Sequence, residues 1–424
     1  MSAPGPKLGL QAAWAMAVGG MVGGGIFSTL GVVISISGRL AWLSFLVAGT
    51  IALLTGYAYA HLARRYGEGG GSFTFLREMH RIGLAGSLAW VLILGYVLTN
   101  AVYAYTFGEY VGHVLPLGAI GARASAVTIL LVFLAVNLMG TGEAGGVEIV
   151  LVWFKLAVLV GLAGFGFARW DPAMLARGVP EAGLPDAAFG AASVFMAYEG
   201  FQLLTYDYED LRDPDRTLPR ALLGAIVVVI AVYVAVSVGT AMLIGADRIV
   251  ENQEVALSIA GREALGTVGL AIVTVAAAFS TGSAINATLF ATARLAREVA
   301  REGQLPAAAG HENRRGVPDR ALVALTAAAI LFVSVGSLAS LVESASLAFL
   351  MTFAVVCTLA FVQGAGSRLV TGAGAVGATA ATGALVVRLV REAPLALGLF
   401  AVMVAVAVFV RPSVLRRVGA KPGG

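Results

Sequence analysis

Apolar stretches of about 20 residues recur from one end of this sequence to the other, each long enough to cross a hydrocarbon core of about 30 Å. Twelve are centred near residues 24, 51, 98, 132, 158, 197, 231, 280, 329, 352, 380 and 403. The eleventh is the weakest, because Gly and Ala dominate it. Of 424 residues, 59% are hydrophobic and 12% charged, whereas a soluble domain carries about 25% charged residues. The expected fold class is all-α and integral to a membrane: twelve transmembrane helices in a single domain over residues 1–424, with no soluble domain. The first apolar segment is too long for a cleavable signal peptide, and no cleavage region follows it. The lone cysteine, Cys357, rules out an internal disulfide.

With the amino terminus inside, Arg64, Arg65, Arg77, Arg81, the arginines of 294–320 and the tail residues Arg411, Arg416, Arg417 and Lys421 fall in cytoplasmic segments. A smaller group, Arg39, Arg123, Arg169, Arg177, Arg248, Arg262, Arg388 and Arg391, falls outside. This bias obeys the positive-inside rule, so both termini are expected in the cytoplasm of a cell (inner or plasma) membrane. The net charge of +4 then reflects orientation, and no nucleic-acid partner is expected. The segment 247–266 lies outside and has room for a short amphipathic helix.

Residues 19–27 read GGMVGGGIF, five glycines inside an apolar span. Glycine is a poor helix residue. Gly19 with Gly23, and Gly20 with Gly24, fit the small-xxx-small spacing of close helix packing, yet the cluster is denser than packing needs. An unwound stretch at mid-membrane leaves N–H and C=O groups that must be satisfied. A zwitterion suits them: a half-helix amino terminus takes its carboxylate and freed carbonyls its ammonium. The sixth span is interrupted too, at AYEGF (197–201). Two glycine-broken spans at matching places in two halves point to a transporter built from inverted repeats.

Other chemistries find little footing. His61, His80, His113 and His311 sit at span ends or in loops, so no buried serine has a histidine partner, and no metal-binding spacing occurs. An enzyme is not expected, nor a cofactor. There is no TVGYG-like filter of an ion channel. Gly69, Gly70 and Gly71 resemble a phosphate loop superficially, but no G-K-[ST] follows.

Three further stretches carry a resemblance. GGMVGGGIFSTLGVVISISG (19–38), FMAYEGFQLLTYDYEDLRDPDRTLPRAL (195–222) and FSTGSAINATLFATARLAREVAREGQLP (279–306) resemble the first, sixth and eighth helices of amino-acid permeases of the APC superfamily, nearest in motifs to its proton-coupled, broad-specificity members. The resemblance covers roughly residues 8–365. It implies a LeuT-type 5+5 inverted repeat with helices 1 and 6 broken, followed by two additional helices over about 366–412, and an alternating-access cycle. It also implies substrate contacts. The amides around Gly23, Gly24 and Gly25 would hold a carboxylate, and carbonyls near Gly20, Met21, Val22, Met196 and Glu199, beside Gly200, would take an ammonium. Phe195 is either an aromatic gate or a packing residue. On the third span Tyr96, Asn100, Tyr103 and Phe107 share one helix face, suited to a cavity wall or to interhelix hydrogen bonds.

Lys155 stands in the fifth span with apolar neighbours on both sides. A cation there costs several kcal/mol unless paired. The chain has only two other lysines, Lys7 and Lys421, against its many arginines, and only lysine can lose its proton when desolvated. In the proton-coupled permeases a lysine at this place stands where relatives bind sodium. Here Ser280 and Ser283 are the candidate eighth-helix neighbours. A permanently charged structural pin is the alternative. Glu199 departs from the family, which usually has an uncharged residue there. It is an N-cap, a ligand for a cationic group or a second proton carrier, and it makes a cationic amino acid or a polyamine a live substrate. Glu109 is expected near the outer interface, with a weak vestibule role. The apron of Asp207, Glu209, Asp210, Arg212, Asp213, Asp215, Arg216 and Arg220 suggests salt bridges that close the inward side, or a solvated face. Transport of an amino acid or amine with a proton is the leading expectation, with an exchanger or an inorganic cation (potassium) transporter behind it, in a monomer or homodimer.

Overall fold

The computed structural model describes residues 7–69, 71–140, 145–411 and 415. Gly70 and the tail residues Arg416, Arg417 and Lys421 lie outside the described residues. Among those described, the chain is helical throughout. The order is α1 (Leu10–Met21), α2 (Gly25–Ser37), α3 (Ala41–Tyr66), α4 (Gly71–Arg77), α5 (Ile82–Val114), α6 (Gly118–Leu138), α7 (Gly145–Arg169), α8 (Leu184–Ser193), α9 (Pro214–Ile244), α10 (Ala246–Glu251), α11 (Ala256–Arg301), α12 (Asp319–Val335), α13 (Leu338–Gln363), α14 (Arg368–Glu392) and α15 (Pro394–Ala405).

Eight of these helices are long and apolar enough to cross a membrane, counting Gly25–Tyr66 as one. The protein is thus a multi-pass membrane protein. The other apolar helices are shorter: α1 stops at the glycine cluster, α8 stops at Val194, and α12 has 17 residues. Local chemistry sets the ends. Gly67 and Gly364 close α3 and α13 in the left-handed conformation, which lacks a Cβ penalty only for glycine. Pro214 opens α9, where its missing N–H costs nothing. The amphipathic segment 247–266 becomes α10 and the first turns of α11, up to a kink at Leu265 and Gly266.

The two interruptions fall where the glycines place them. Residues 22–24 form a turn between α1 and α2. Between α8 and α9 the chain runs through two 3-10 segments, Phe195–Tyr198 and Phe201–Asp210, hinged at Gly200. Packing pairs the helices reciprocally. Helix α1 lies on α9 and α8 on α3; α7 lies on α9 and α13 on α3; α7 meets α11 and α13 meets α5; α5 and α11 cross. Residues 21–25 of the first break and 194–202 of the second are buried, whereas Glu209 and Asp210 at the far end of the second are exposed.

Candidate functional site

The two breaks touch backbone to backbone. A Cβ on Gly20 would lie 3.0 Å from the Gly200 carbonyl oxygen, and one on Gly200 would lie 2.5 Å from the Gly20 carbonyl carbon. Gly200 has φ +117, a conformation that only glycine adopts cheaply. Glycine at both positions is therefore what lets the breaks meet.

Freed carbonyls find side-chain donors. The Tyr233 hydroxyl lies 2.7 Å from the Met21 carbonyl and 3.0 Å from that of Ala197. The Ser280 hydroxyl donates to the Val22 carbonyl at 2.5 Å, and Ser283 donates to the Ser280 carbonyl at 3.1 Å. The Met196 N–H donates to Ser346 Oγ at 3.0 Å, and Ser346 donates to the Ser193 carbonyl at 2.7 Å. The Met21 and Val22 carbonyls thus each accept from one side-chain hydroxyl, which occupies one of the two lone pairs of each oxygen. The N–H groups of Gly23, Gly24 and Gly25, at the amino terminus of α2, have no backbone acceptor among the described residues. A Cβ on Gly24 would meet the Tyr103 ring at 2.0 Å, so that ring lies flush against the break.

Lys155 is 2% exposed. Its Nζ donates to the Gly19 carbonyl at 3.2 Å and lies 3.9 Å from Glu148 Oε1. Among the described residues, the polar partners of Lys155 are Gly19 and Glu148. Ser280 and Ser283, the neighbours anticipated for it, hydrogen-bond to backbone carbonyls instead. Glu148 went unnoticed in the sequence, although its spacing of seven residues puts it two turns from Lys155 on the same face.

Glu199 is also buried. Its carboxylate accepts from the Tyr103 hydroxyl at 3.3 Å and from Gln202 Nε2 at 3.2 Å. The Gly200 N–H goes to Gln202 Oε1 at 3.0 Å, so Gln202 serves the backbone at the start of the second 3-10 segment. Gln202 Nε2 also reaches the Tyr96 hydroxyl at 3.0 Å. Asn100 donates within its own helix to the Tyr96 carbonyl at 2.9 Å, leaving its Oδ1 buried without a partner among the described residues. Phe195 packs edge-on against Phe353 at 5.7 Å between centroids.

A cavity of about 230 Å³ opens beside the breaks, lined by Gly19, Gly20, Glu148, Ser283, Tyr206 and Arg294 among others. Gly20 and Ser283 are the anticipated site residues that line it. A second cavity of about 240 Å³ shares Tyr206, Asp210, Ala291 and Arg294 with the first. Leu8 pairs with Leu211 beside this mouth: the Leu8 N–H donates to the Asp210 carbonyl and the Arg212 N–H to the Leu8 carbonyl, both at 2.8 Å. Of the apron, Asp207 pairs with Arg294 at 3.0 Å and Asp215 lies 3.7 Å from Arg64, both outside the apron, while the Asp213–Arg216 pair is exposed. Arg77, which carried no expected role, lies within 3.3 Å of Glu68, Glu78, Glu298 and Glu302.

Comparison with known proteins gives this arrangement a family. A sequence profile for amino acid permeases matches residues 8–417. The inner membrane transport protein YbaT of Escherichia coli is 32% identical over 70% of each chain. An uncharacterised protein of Methanocaldococcus jannaschii is 30% identical, over 71% of this chain and 70% of its own. The serine/threonine exchanger SteT of Bacillus subtilis is 26% identical, over 71% and 69%. The chain belongs to the amino acid permease family.

Proposed function

We propose that the protein is a secondary active transporter that carries an amino acid together with a proton by alternating access. The observation that carries this reading is Lys155. It is a buried cation held on the carbonyl of Gly19, at the end of the first half-helix, so its charge bears directly on the break. Losing the proton would strip that bond of its charge assistance and loosen the hold on the half-helix. The substrate carboxylate would take the open N–H groups of Gly23, Gly24 and Gly25, and its ammonium the carbonyls of Gly20 and Glu199 with Met196 close by. Asn100, Tyr103 and Phe195 would line the site, and Ser280 would tie the break to α11.

The reciprocal helix contacts support a 5+5 inverted repeat. Exchanging α1–α2 with α8, α3 with α9, α5 with α11, α6 with α12 and α7 with α13 maps the packing pairs onto one another. On this reading α14 and α15 are the two additional helices, the chain makes twelve crossings, and both termini face the cytoplasm. The vestibule beside Leu8 and Asp210 is then the cytoplasmic one.

One observation favours a cationic amino acid or a polyamine. The described partners of the Glu199 carboxylate are Tyr103 and Gln202, both neutral, which leaves its charge for a substrate amine to meet. Glu199→Gln is then expected to shift the profile away from cationic substrates. The name of the exchanger SteT motivates a further control, loading with internal amino acid.

Uptake of labelled amino acids and polyamines into proteoliposomes tests the reading, in sodium-free buffer with and without an inward proton gradient and with a protonophore. Gradient-driven accumulation is the expected result, abolished in Lys155→Ala. Uptake indifferent to the gradient but dependent on internal amino acid would make the protein an exchanger and Lys155 a pin.

A further inference from the structure

We propose that Glu148 is the group through which Lys155 exchanges its proton with the cavity beside Leu8 and Asp210. The proposal rests on the reading of Lys155 as the coupling residue and adds the route by which its proton leaves.

Lys155 is closed off from water, being 2% exposed, while the Glu148 side chain is 22% exposed and lines the cavity. Glu148 Oε1 is 3.9 Å from Lys155 Nζ, beyond the range of a direct hydrogen bond, about 2.7–3.2 Å. A small side-chain rotation or one bridging water closes that gap. The backbone is shaped around the carboxylate: a Cβ on Gly19 would lie 2.1 Å from Glu148 Oε1. Gly19 therefore does two things. Its carbonyl accepts from Lys155, and its bare Cα makes room for Glu148 beside the same ammonium.

The transfer is balanced and electrostatically cheap. The Nζ–H bond breaks and an Oε1–H bond forms, leaving a neutral amine and a neutral carboxylic acid. A charged pair becomes a neutral pair, so neither an isolated cation nor an isolated anion is left in a low-dielectric setting. The Glu148 O–H then gives its proton to cavity water and the carboxylate is restored.

Other groups bear on Glu148 less directly. Tyr206, Asp207, Asp210 and Arg294 line the same cavity, and Asp207 is engaged by Arg294 at 3.0 Å. Of the helices packed on α7, α1 carries no charged side chain. The charged groups of α9 are Asp215, Arg216 and Arg220 in its first turns. Those of α11 are Arg262 and Glu263 at one end and Arg294, Arg297, Glu298 and Arg301 at the other.

The full-length protein in proteoliposomes separates net transport from exchange. Net uptake of a mixture of radiolabelled L-amino acids down an imposed proton gradient is followed together with lumenal pH. Exchange of labelled for unlabelled amino acids is measured at equal pH on both sides, where no net proton release is required. In Glu148→Gln, net uptake and its proton flux are expected to fall about 100-fold, the lower end of what a positioned acid–base group supplies, with exchange within about twofold of the unaltered protein. Glu148→Asp is expected to recover net uptake with a displaced pH profile. If Lys155→Ala accumulates substrate normally, the coupling reading fails and this proposal with it. If Lys155→Ala is inactive while Glu148→Gln keeps net uptake at every pH, Glu148 is not the exchange group and the Lys155 reading stands. Equal loss of net uptake and exchange in a normally folded Glu148→Gln would make Glu148 a structural counterion and overturn the proposal.

Discussion

Gly200 shows how much one missing side chain decides here. Its positive φ and its contact with Gly20 leave no space for a methyl group. Gly200→Ala combines strain of about 1–3 kcal/mol with a clash against rigid backbone, so it is expected to lower the melting temperature in detergent and to abolish uptake. An unchanged melting curve would show that the two breaks do not need to touch. Tyr233 is the complementary case, a side chain added where the backbone needs a donor. Tyr233→Phe leaves the Met21 and Ala197 carbonyls buried without that donor, at a cost of about 1–3 kcal/mol, measurable by thermal unfolding. The sequence held a signal for this residue, the one aromatic in IVVVIAVYVAVSVG (226–239), but no local pattern says which carbonyl a distant hydroxyl will reach. The serines on α11 show the same limit. Ser280 does sit against the first break, as its register on the helix implies, but its bond goes to Val22 and not to Lys155.

The helices themselves were far more legible, because an apolar run of membrane length leaves the backbone few ways to satisfy its own polar groups. Glycine marked both breaks, a cluster in the first and Gly200 alone in the second, for glycine is the residue that unwinds a span at little steric cost. What the runs hid were contacts between helices. Glu343 on α13, 4% exposed at its side chain, pairs at 3.1 Å with Arg388 on α14, which also reaches Glu392 at 2.5 Å. Nothing in either helix alone announces the other. Removing Arg388 strands the buried Glu343 carboxylate. Arg388→Leu is expected to cost about 3–5 kcal/mol, and the double variant Glu343→Leu, Arg388→Leu to recover most of it. A double-mutant cycle of unfolding free energies checks this. Additive losses would mean that the pair does not hold α14 to α13.

At the scale of the whole molecule, the vestibule is framed by charge. Arg77 links α4 to Glu298 on α11 and to Glu302 just past its end, while also meeting Glu68 and Glu78. Without the guanidinium those four carboxylates repel one another, so Arg77→Gln is expected to widen the mouth. Cys357, the lone cysteine, is buried, so a cysteine placed at Ser283 in the cavity reports with little background. Labelling of Ser283→Cys by an impermeant thiol reagent is expected to quicken in the Arg77→Gln background. It should also quicken at high ionic strength in its absence, since screening weakens partly exposed pairs. Rates that ignore both changes would remove Arg77 from the gate. The Leu8–Leu211 bridge has a practical corollary at the same mouth. A bulky fusion partner joined upstream of Leu8 would be tethered a few residues from a strap that flanks the opening, and would crowd that opening. Purification handles and fluorescent reporters therefore belong elsewhere on this protein, and kinetics recorded with an amino-terminal fusion would describe the cargo as much as the carrier.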